Sequence, residues 1–521
     1  MANAQLFQSY KGKLLPLAHA RNSENAPAYA FTAKHALAQY AVTGCLNATF
    51  YAGAAQQLET LLELAREVQP AFIAQAAIYC RERGYMKDMP ALLAAALSVQ
   101  GQEYLPLVFE RVIDNGKMLR NFVQIMRSGA VGRKSLGTRP KKLIQAWLNS
   151  ASEKELLNAS IGGAPSLADV VKMVHPKPTE AWREAFFAWL IGKPFDVEKM
   201  PPITRAFETY KCDRAEQIPD VPFQMLTALN LTVADWARIA IQGSWQMVRM
   251  NLNTFARHGV FHIEGMADVI AAKLQNADAI LKARAFPYQL LSAYKSAAEG
   301  EKGVPRIVRE ALHDALEISL VNVPALEGRV VVCPDVSGSM ASAATGNRGS
   351  ATSAVRCIDV AALAAAAILR KNPDALVLPF ENKVVYVDLN SRDTVLTNAQ
   401  KLASIGGGGT NCSAPLALLN KKQIKADVVV LVSDNESWID AKHNGATETL
   451  RQWEAFKQRN PSAKLVCVDI QPNRTTQAAE RGDILNVGGF SDEVFKILAA
   501  FAAGQLNSDH WVGVIEAVKL E

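Results

Sequence analysis

From about residue 27 to 320, apolar positions recur at helical spacing in Ala- and Leu-rich segments of about 12 to 20 residues, punctuated by Pro, Gly or Asn. The pattern predicts helices over 54–68, 70–83, 89–99, 141–151, 180–191, 232–240 and 265–274. In Lys141–Leu148, the apolar Leu143, Ile144, Trp147 and Leu148 share one face, with Lys141, Lys142 and Gln145 off it. Helix after helix with short connections and no strand pattern predicts antiparallel helix pairs stacked as an α-solenoid, in the manner of HEAT or armadillo arrays. No clean repeat of fixed period accompanies it.

Near Val321 the pattern changes to alternating strands and helices. Strands are predicted at 328–333, 375–380, 383–389, 427–432 and 464–470, the third as a hairpin mate of the second. Helices are predicted at 354–370, 391–404, 414–422, 447–459 and 491–503. Such alternation means a doubly wound α/β domain, a mostly parallel sheet covered on both faces. The expected organisation is a helical domain over 1–320 and an α/β domain over 321–521. The tail 507–521 carries no assignable pattern.

The first strand of the α/β part runs into PDVSGSM, so Asp335, Ser337 and Ser339 leave its carboxyl end at alternate positions. Two more segments end at the same edge of such a sheet: IGGGGTNCS, with the hydroxyl of Thr410, and ADVVVLVSD, with Asp434. Two carboxylates and three hydroxyls suit a hard divalent cation such as Mg²⁺, which takes oxygen ligands and keeps waters. Turn and capping roles are the ordinary use of such residues. DxSxS with a distant Thr and a distant Asp resembles the metal-ion-dependent adhesion site (MIDAS) of von Willebrand factor A domains. That resemblance implies a domain that binds partners without catalysis, and the polar stretch Ser342–Ser353 is expected on the same side.

Composition adds an anionic partner to the picture. Net charge is +6, but residues 1–321 hold 36 Lys+Arg against 29 Asp+Glu, and 322–521 hold 20 against 21. Arg111–Lys142 alone carries nine basic residues and one acidic, Asp114. Arg127, Arg133, Lys134, Arg139, Lys141 and Lys142 lie among Gly and small residues, which suits sequence-independent contacts to phosphates, although a solvated face is the commoner meaning of a charge run. Five of the eight tryptophans, 147, 182, 189, 236 and 245, sit at helical spacing among Leu and Ala and are expected in the core. Seven scattered cysteines, never in CxxC spacing, exclude a disulfide framework and a Cys-ligated zinc site. No charged start with a long apolar core opens the chain and no apolar run reaches a membrane span, so a cytoplasmic protein is expected. The Gly406–Gly409 run lacks a following Lys-Ser/Thr, and neither HExxH nor a GxSxG elbow is present, so no enzyme class is indicated.

Several stretches look like the TROVE module of the Ro autoantigen family: AIYCRERGYMKDMPALLAAAL, VGRKSLGTRPKKLIQAWL, LADVVKMVHPKP, SWQMVRMNLNTFARHG and ARAFPYQLLSAYK, in that order. PDVSGSM, GGGGTNCSAP, VVLVSDNESW and RGDILNVGGF look like that family's own A domain. The resemblance implies a ring of HEAT-like repeats closed by the A domain, acting as a monomer. It implies a small structured noncoding RNA (Y RNA) on the outer surface and single-stranded ends of misfolded RNAs in the hole. It also implies a role in RNA quality control and degradation beside an exoribonuclease such as polynucleotide phosphorylase. His175 matches a position linked to Y RNA, between Lys172 and Lys177. Arg249 and Asn251 are expected at a ring interior or a helix end. The chain inserts Gly137 and Thr138 relative to the animal pattern, and has Asn411 after Thr410 where animal relatives commonly have Asp. The alternative is a protein-binding adaptor that grips an acidic group through the ion, without RNA; it has no need of the basic cluster.

Overall fold

The computed structural model describes residues 15–44, 46–213, 217–283, 285, 287–299, 303–346, 355–439, 441, 445–506 and 509–521. The helical run begins α1 (Ala33–Thr43), α2 (Ala54–Glu67), α3 (Pro70–Glu82), α4 (Asp88–Gln100), α5 (Leu105–Val112), α6 (Gly116–Ser128), α7 (Thr138–Ser150), α8 (Glu153–Ser160) and α9 (Leu167–Val174). It continues in helices of the same kind to Arg306–Ser319. The helix α6 shows why these segments fold as they do. Asn115 caps it by accepting from the Met118 N–H at 3.1 Å, Gly129 ends it in a left-handed turn (φ 87°), and Met118, Leu119, Phe122, Val123 and Met126 are fully buried on one face. Lys117, Gln124 and Arg127 are exposed on the other. The helix α7 starts at Thr138, three residues before the predicted 141, and Pro140 fits its first turn because the N–H it lacks has no partner there.

The α/β part holds a five-stranded parallel sheet in the order β4-β3-β5-β6-β8. Its strands are β3 (Val330–Pro334), β4 (Leu376–Val377), β5 (Val428–Ser433), β6 (Lys464–Asp469) and β8 (Ile484–Gly488). Every residue of β3, β5 and β8 is buried, which is what continuous apolar runs mean in a sheet covered on both faces.

Four expectations change. The predicted strand 383–389 is not one: a single bridge, Phe380 to Val384, remains of the hairpin. Pro379, lacking an N–H, offers a mate no donor on this outer edge, and the Val385 N–H folds back to the Pro379 carbonyl at 2.8 Å, while Phe380 continues the pairing with β3 by donating to the Pro334 carbonyl at 3.1 Å. The strand β8 went unpredicted because Asn486 interrupts its apolar run; that buried side chain accepts from the Thr476 hydroxyl at 2.6 Å and donates to the Ala478 carbonyl at 3.1 Å. The amino-terminal segment does not open the helical array. Its β1 (Ala20–Arg21) and β2 (Pro27–Ala30) form an antiparallel three-stranded sheet with β7 (Thr475–Thr476) of the α/β part. The unassigned tail contains the helix His510–Glu516, which packs on α3.

Both ends of the helical run close on the α/β part, making the ring. At one end α1 packs against β8 and the helix His510–Glu516, with the Gln39 amide donating to Asp469 at 2.9 Å. Gly488 and Gly489 permit that approach: a Cβ on Gly488 would lie 2.2 Å from the Gln39 side-chain oxygen, and Gly489 adopts φ 115°. At the other end the helix Pro287–Glu299 packs on Cys357–Lys371, and Arg306–Ser319 packs on Val395–Ala403. There Lys295 meets the buried Asp359 at 2.6 Å, and Arg356 meets it at 3.0 Å. Burial alone would raise the Asp359 carboxyl, but the bonds from Arg356 and Lys295 outweigh it and hold the group below its ordinary range. Stability from this pair is present above the ordinary Asp range and lost as pH falls through the lowered value. Lys295→Ala is expected to destabilise by about 1–3 kcal/mol, since Arg356 still partners Asp359. A thermal melt at neutral pH checks this, and an unchanged Tm would remove the pair from the closure.

Candidate metal centre and nucleic-acid interface

At the carboxyl edge of the sheet, Asp335 follows β3 and Asp434 follows β5, while Thr410 arrives on the glycine loop. The Gly338 N–H donates to the Gly408 carbonyl at 3.0 Å, and that loop runs through φ 44°, 115° and 74° at Gly406, Gly407 and Gly408. The hydroxyls form a chain, Thr410 Oγ1 to Ser337 Oγ at 3.0 Å and Ser337 Oγ to Ser339 Oγ at 3.3 Å. One Asp335 oxygen accepts from the Ser337 N–H at 2.8 Å and the other from the Ser433 hydroxyl at 2.5 Å. Asp434 accepts from Ser339 and from the Glu436 N–H. The sequence-predicted set of five therefore converges.

All five residues are at most 9% exposed, and among the described residues no Lys or Arg forms an ion pair with Asp335 or Asp434. Burial, then the charge of Asp434, pushes the Asp335 carboxyl up to about 7. Burial likewise raises Asp434, and it pushes Glu436 up to about 8. Buried carboxylates without a cationic side chain, beside hydroxyls facing one another, fit a divalent oxygen-loving ion. Among the described residues no three His, Cys, Asp or Glu side chains converge as ligands, so an ion here would rest on the mixed carboxylate and hydroxyl set. Of the polar stretch Ser342–Ser353, residues 342–346 follow the site directly, and the remainder lies outside the described residues.

Sequence reasoning missed Glu436, which follows Asp434 closely, and Tyr51, whose phenol shares a hydrogen bond with Ser339 from the loop between α1 and α2. SDNESW carried a signal for the first. Nothing local signals the second.

The basic residues divide into two groups. Arg127, Lys134, Lys141 and Lys142 line a groove of about 620 Å³ between α6 and α7. A second groove, lined by Gln124, Arg127, Asp169 and Lys172, adjoins it through Arg127 and Met173. Among the described residues none of these five cations lies within 4 Å of a carboxylate. Arg133 and Arg139 turn away to main-chain carbonyls: Arg133 donates to Ser98 at 2.9 Å, and Arg139 donates to Gln102. They anchor the loop before α7 to the end of α4. His175 ends α9 in a left-handed turn (φ 49°) with its side chain exposed, as is that of Lys177. Gln145 of α7 donates to the Val174 carbonyl at 2.5 Å, fixing this end beside the groove.

Arg249 is buried and ties two helices by donating to the Gln289 carbonyl at 2.8 Å, while Asn251 donates to the Met247 carbonyl and closes the end of its own helix. Trp236 and Trp245 are buried in the core, and Trp147, Trp182 and Trp189 pack half-buried against it. Among the described residues no helix is long and apolar enough to cross a membrane.

Residues 329–502 match the family model described as the Ro60 vWA domain. The α/β part is thus similar to a Ro60 vWA domain. The likeness continues beyond it. The chain is 27% identical to a Deinococcus radiodurans protein named RNA-binding protein RO60, over 93% of this chain and 96% of that one. A Caenorhabditis elegans protein of the same name is 22% identical over 47% of this chain and 38% of its own length. The crystal structure of the Deinococcus radiodurans RO (RSR) protein superposes with a TM-score of 0.62 at 22% identity, covering 91% of this chain and all of that one. The fold is thus Ro-like throughout, a ring of helical repeats closed by the A domain.

Proposed function

We propose that this chain is an RNA-binding scaffold of the Ro type. The observation that carries the reading is the groove between α6 and α7, where Arg127, Lys134, Lys141 and Lys142 stand without carboxylate partners among the described residues. Phosphates of a structured RNA are the natural counter-charge, and such contacts recognise shape and backbone more than sequence. The name of the full-length relative, RNA-binding protein RO60, supports the same reading.

In the finer form of this proposal, a small structured RNA of the Y type lies on the outer surface across α6, α7 and α9. His175, Lys172 and Lys177 extend the contact, and single-stranded ends of misfolded RNAs enter the ring. The scaffold acts in cytoplasmic RNA quality control as a monomer and hands RNA to an exoribonuclease, without catalysis of its own. The A domain holds a divalent cation, Mg²⁺ in the cell, on Asp335, Ser337, Ser339, Thr410 and Asp434. The adaptor reading needs an ion open to an outside acidic group, and the burial of all five residues weighs against it.

Purification from the protein's own cells at low salt, followed by sequencing of the nucleic acid that accompanies it, tests the proposal. A discrete structured RNA is expected. A protein partner recovered with no enriched RNA would favour the adaptor.

A further inference from the structure

Where the ring closes, a cavity of about 240 Å³ lies between three separate stretches of the chain. The end of α1, the loop between α3 and α4 and the start of α6 wall it on one side, the helix Pro287–Glu299 on a second, and Thr345 with the loop after β8 on the third. It is many times the roughly 15 Å³ that one water needs. Two lysines line it, Lys87 just before α4 and Lys117 in the first turn of α6. The arginines nearby have carboxylate partners: Arg81 meets Asp114 at 2.7 Å, and Arg83 reaches Glu493 at 3.6 Å. Among the described residues neither Lys87 nor Lys117 forms an ion pair or a side-chain hydrogen bond. Asp88, an acid on the same wall, accepts from the Asn121 amide at 3.0 Å.

Two ammonium groups on one cavity wall are unfavourable together unless an anion joins them. The surrounding protein, then the charges of Lys117 and Arg81, lower the Lys87 ammonium accordingly. The other walls suit an anion that is part of a larger molecule. Thr345 and Ser491 offer hydroxyls, and α4 and the helix Asp492–Ala502 begin here without a side-chain cap, so their first N–H groups face negative charge favourably. Tyr288 stands edge-on to Phe490, with 5.0 Å between ring centres, and gives the cavity an aromatic flank. We propose that this cavity binds a phosphate monoester between Lys87 and Lys117, and that the bound group fastens both ends of the helical run to the A domain. Phosphate supplies the charge and the acceptors that two ammonium groups require. The chemistry is the same whether the phosphate belongs to a free nucleotide or to the end of an RNA strand. The cavity is distinct from the groove between α6 and α7, since Lys117 and Arg127 stand about 15 Å apart along the helix axis, and the failure of one site leaves the other standing. Both lysines are exposed to solvent and lie outside the hydrophobic core, so their Gln variants fold.

The test is calorimetric titration of the full-length, RNA-free protein at constant ionic strength with adenosine 5′-monophosphate, adenosine and inorganic phosphate, with hydrogen exchange read on 84–89, 287–291 and 489–494. The monophosphate is expected to bind and to slow exchange in all three segments, inorganic phosphate to bind more weakly, and adenosine to do neither. Replacing Lys87→Gln and Lys117→Gln together is expected to weaken binding of the monophosphate about a hundredfold, the range for losing two charge-assisted hydrogen bonds. Lys87→Arg with Lys117→Arg is expected to keep most of the affinity, because charge at the wall is retained. A single-stranded oligonucleotide with a 5′-phosphate separates the two sources: displacement of the monophosphate at lower concentration than the free nucleotide assigns the site to RNA ends, and no displacement assigns it to free nucleotides. Equal affinity in the parent and the double Gln variant, or binding that leaves exchange in the three segments unchanged, would overturn the proposal. A parent that binds neither the monophosphate nor inorganic phosphate would overturn it as well.

Discussion

Replacing Arg127, Lys134, Lys141 and Lys142 together by Gln is expected to lower RNA affinity roughly a hundredfold near physiological salt and to flatten its salt dependence by about 3 in log–log slope, given roughly 0.7–0.9 per phosphate contact. These four line one groove, and none is fastened to a carboxylate among the described residues, so their charge is free to face phosphate. Each leaves the hydrophobic core untouched, and the variant should melt where the parent does. Arg133 and Arg139 supply the control. Their guanidinium groups bond to main-chain carbonyls, so Arg133→Gln and Arg139→Gln are expected to cost about 1 kcal/mol of stability each and to leave the salt slope nearly unchanged. Filter binding across a salt series separates the two groups. Equal slopes in the quadruple variant and the parent would show that the groove does not hold RNA.

Asp335→Asn is expected to abolish stabilisation by Mg²⁺ while leaving the ion-free protein as stable as the parent or more so. The Asn side chain keeps the shape of the site and an acceptor for Ser433, but it removes one of two buried charges that repel each other. The parent should gain about 2.7 kcal/mol at a hundredfold excess of ion over its Kd, and the variant nothing. The pH dependence has a definite sign. Because the Asp335 carboxyl sits near 7 in the ion-free fold, above its ordinary value, its contribution is full in acid and is lost as pH rises through about 7. The ion competes with that proton, so the rise in Tm on adding Mg²⁺ should grow between pH 6 and pH 8. A Tm response that is the same in both proteins, or that shrinks with rising pH, would contradict the assignment.

Much of this architecture can be read along the chain, and what cannot has physical causes. Val330–Pro334 and Val428–Ser433 announce themselves because a strand buried on both faces needs an unbroken apolar run. Asp335, Ser337 and Ser339 are legible because they follow one such run at alternate positions. The strand β8 hides because Asn486 sits in its middle with partners on Thr476 and Ala478, which no local pattern discloses. The hairpin mate at 383–389 fails because Pro379 offers it no N–H, a local cue that sits in the preceding strand and not in 383–389 itself. In the basic run, composition counts charges but does not say where a side chain points: Arg133 and Arg139 close a loop, while Lys134, Lys141 and Lys142 face a groove. Tyr51, Ser23 and Gln39 meet the A domain across most of the chain's length. Such contacts are properties of the closed ring and leave no mark in any short window.

The measurement that bears most directly on the RNA reading is ultraviolet crosslinking of the full-length protein to its co-purified RNA, with the attached peptides identified by mass spectrometry. The account predicts attachment within Arg127–Lys142 and Lys172–Lys177, on the groove formed by α6, α7 and α9. Crosslinks elsewhere with none on these segments, or no RNA to crosslink, would contradict it.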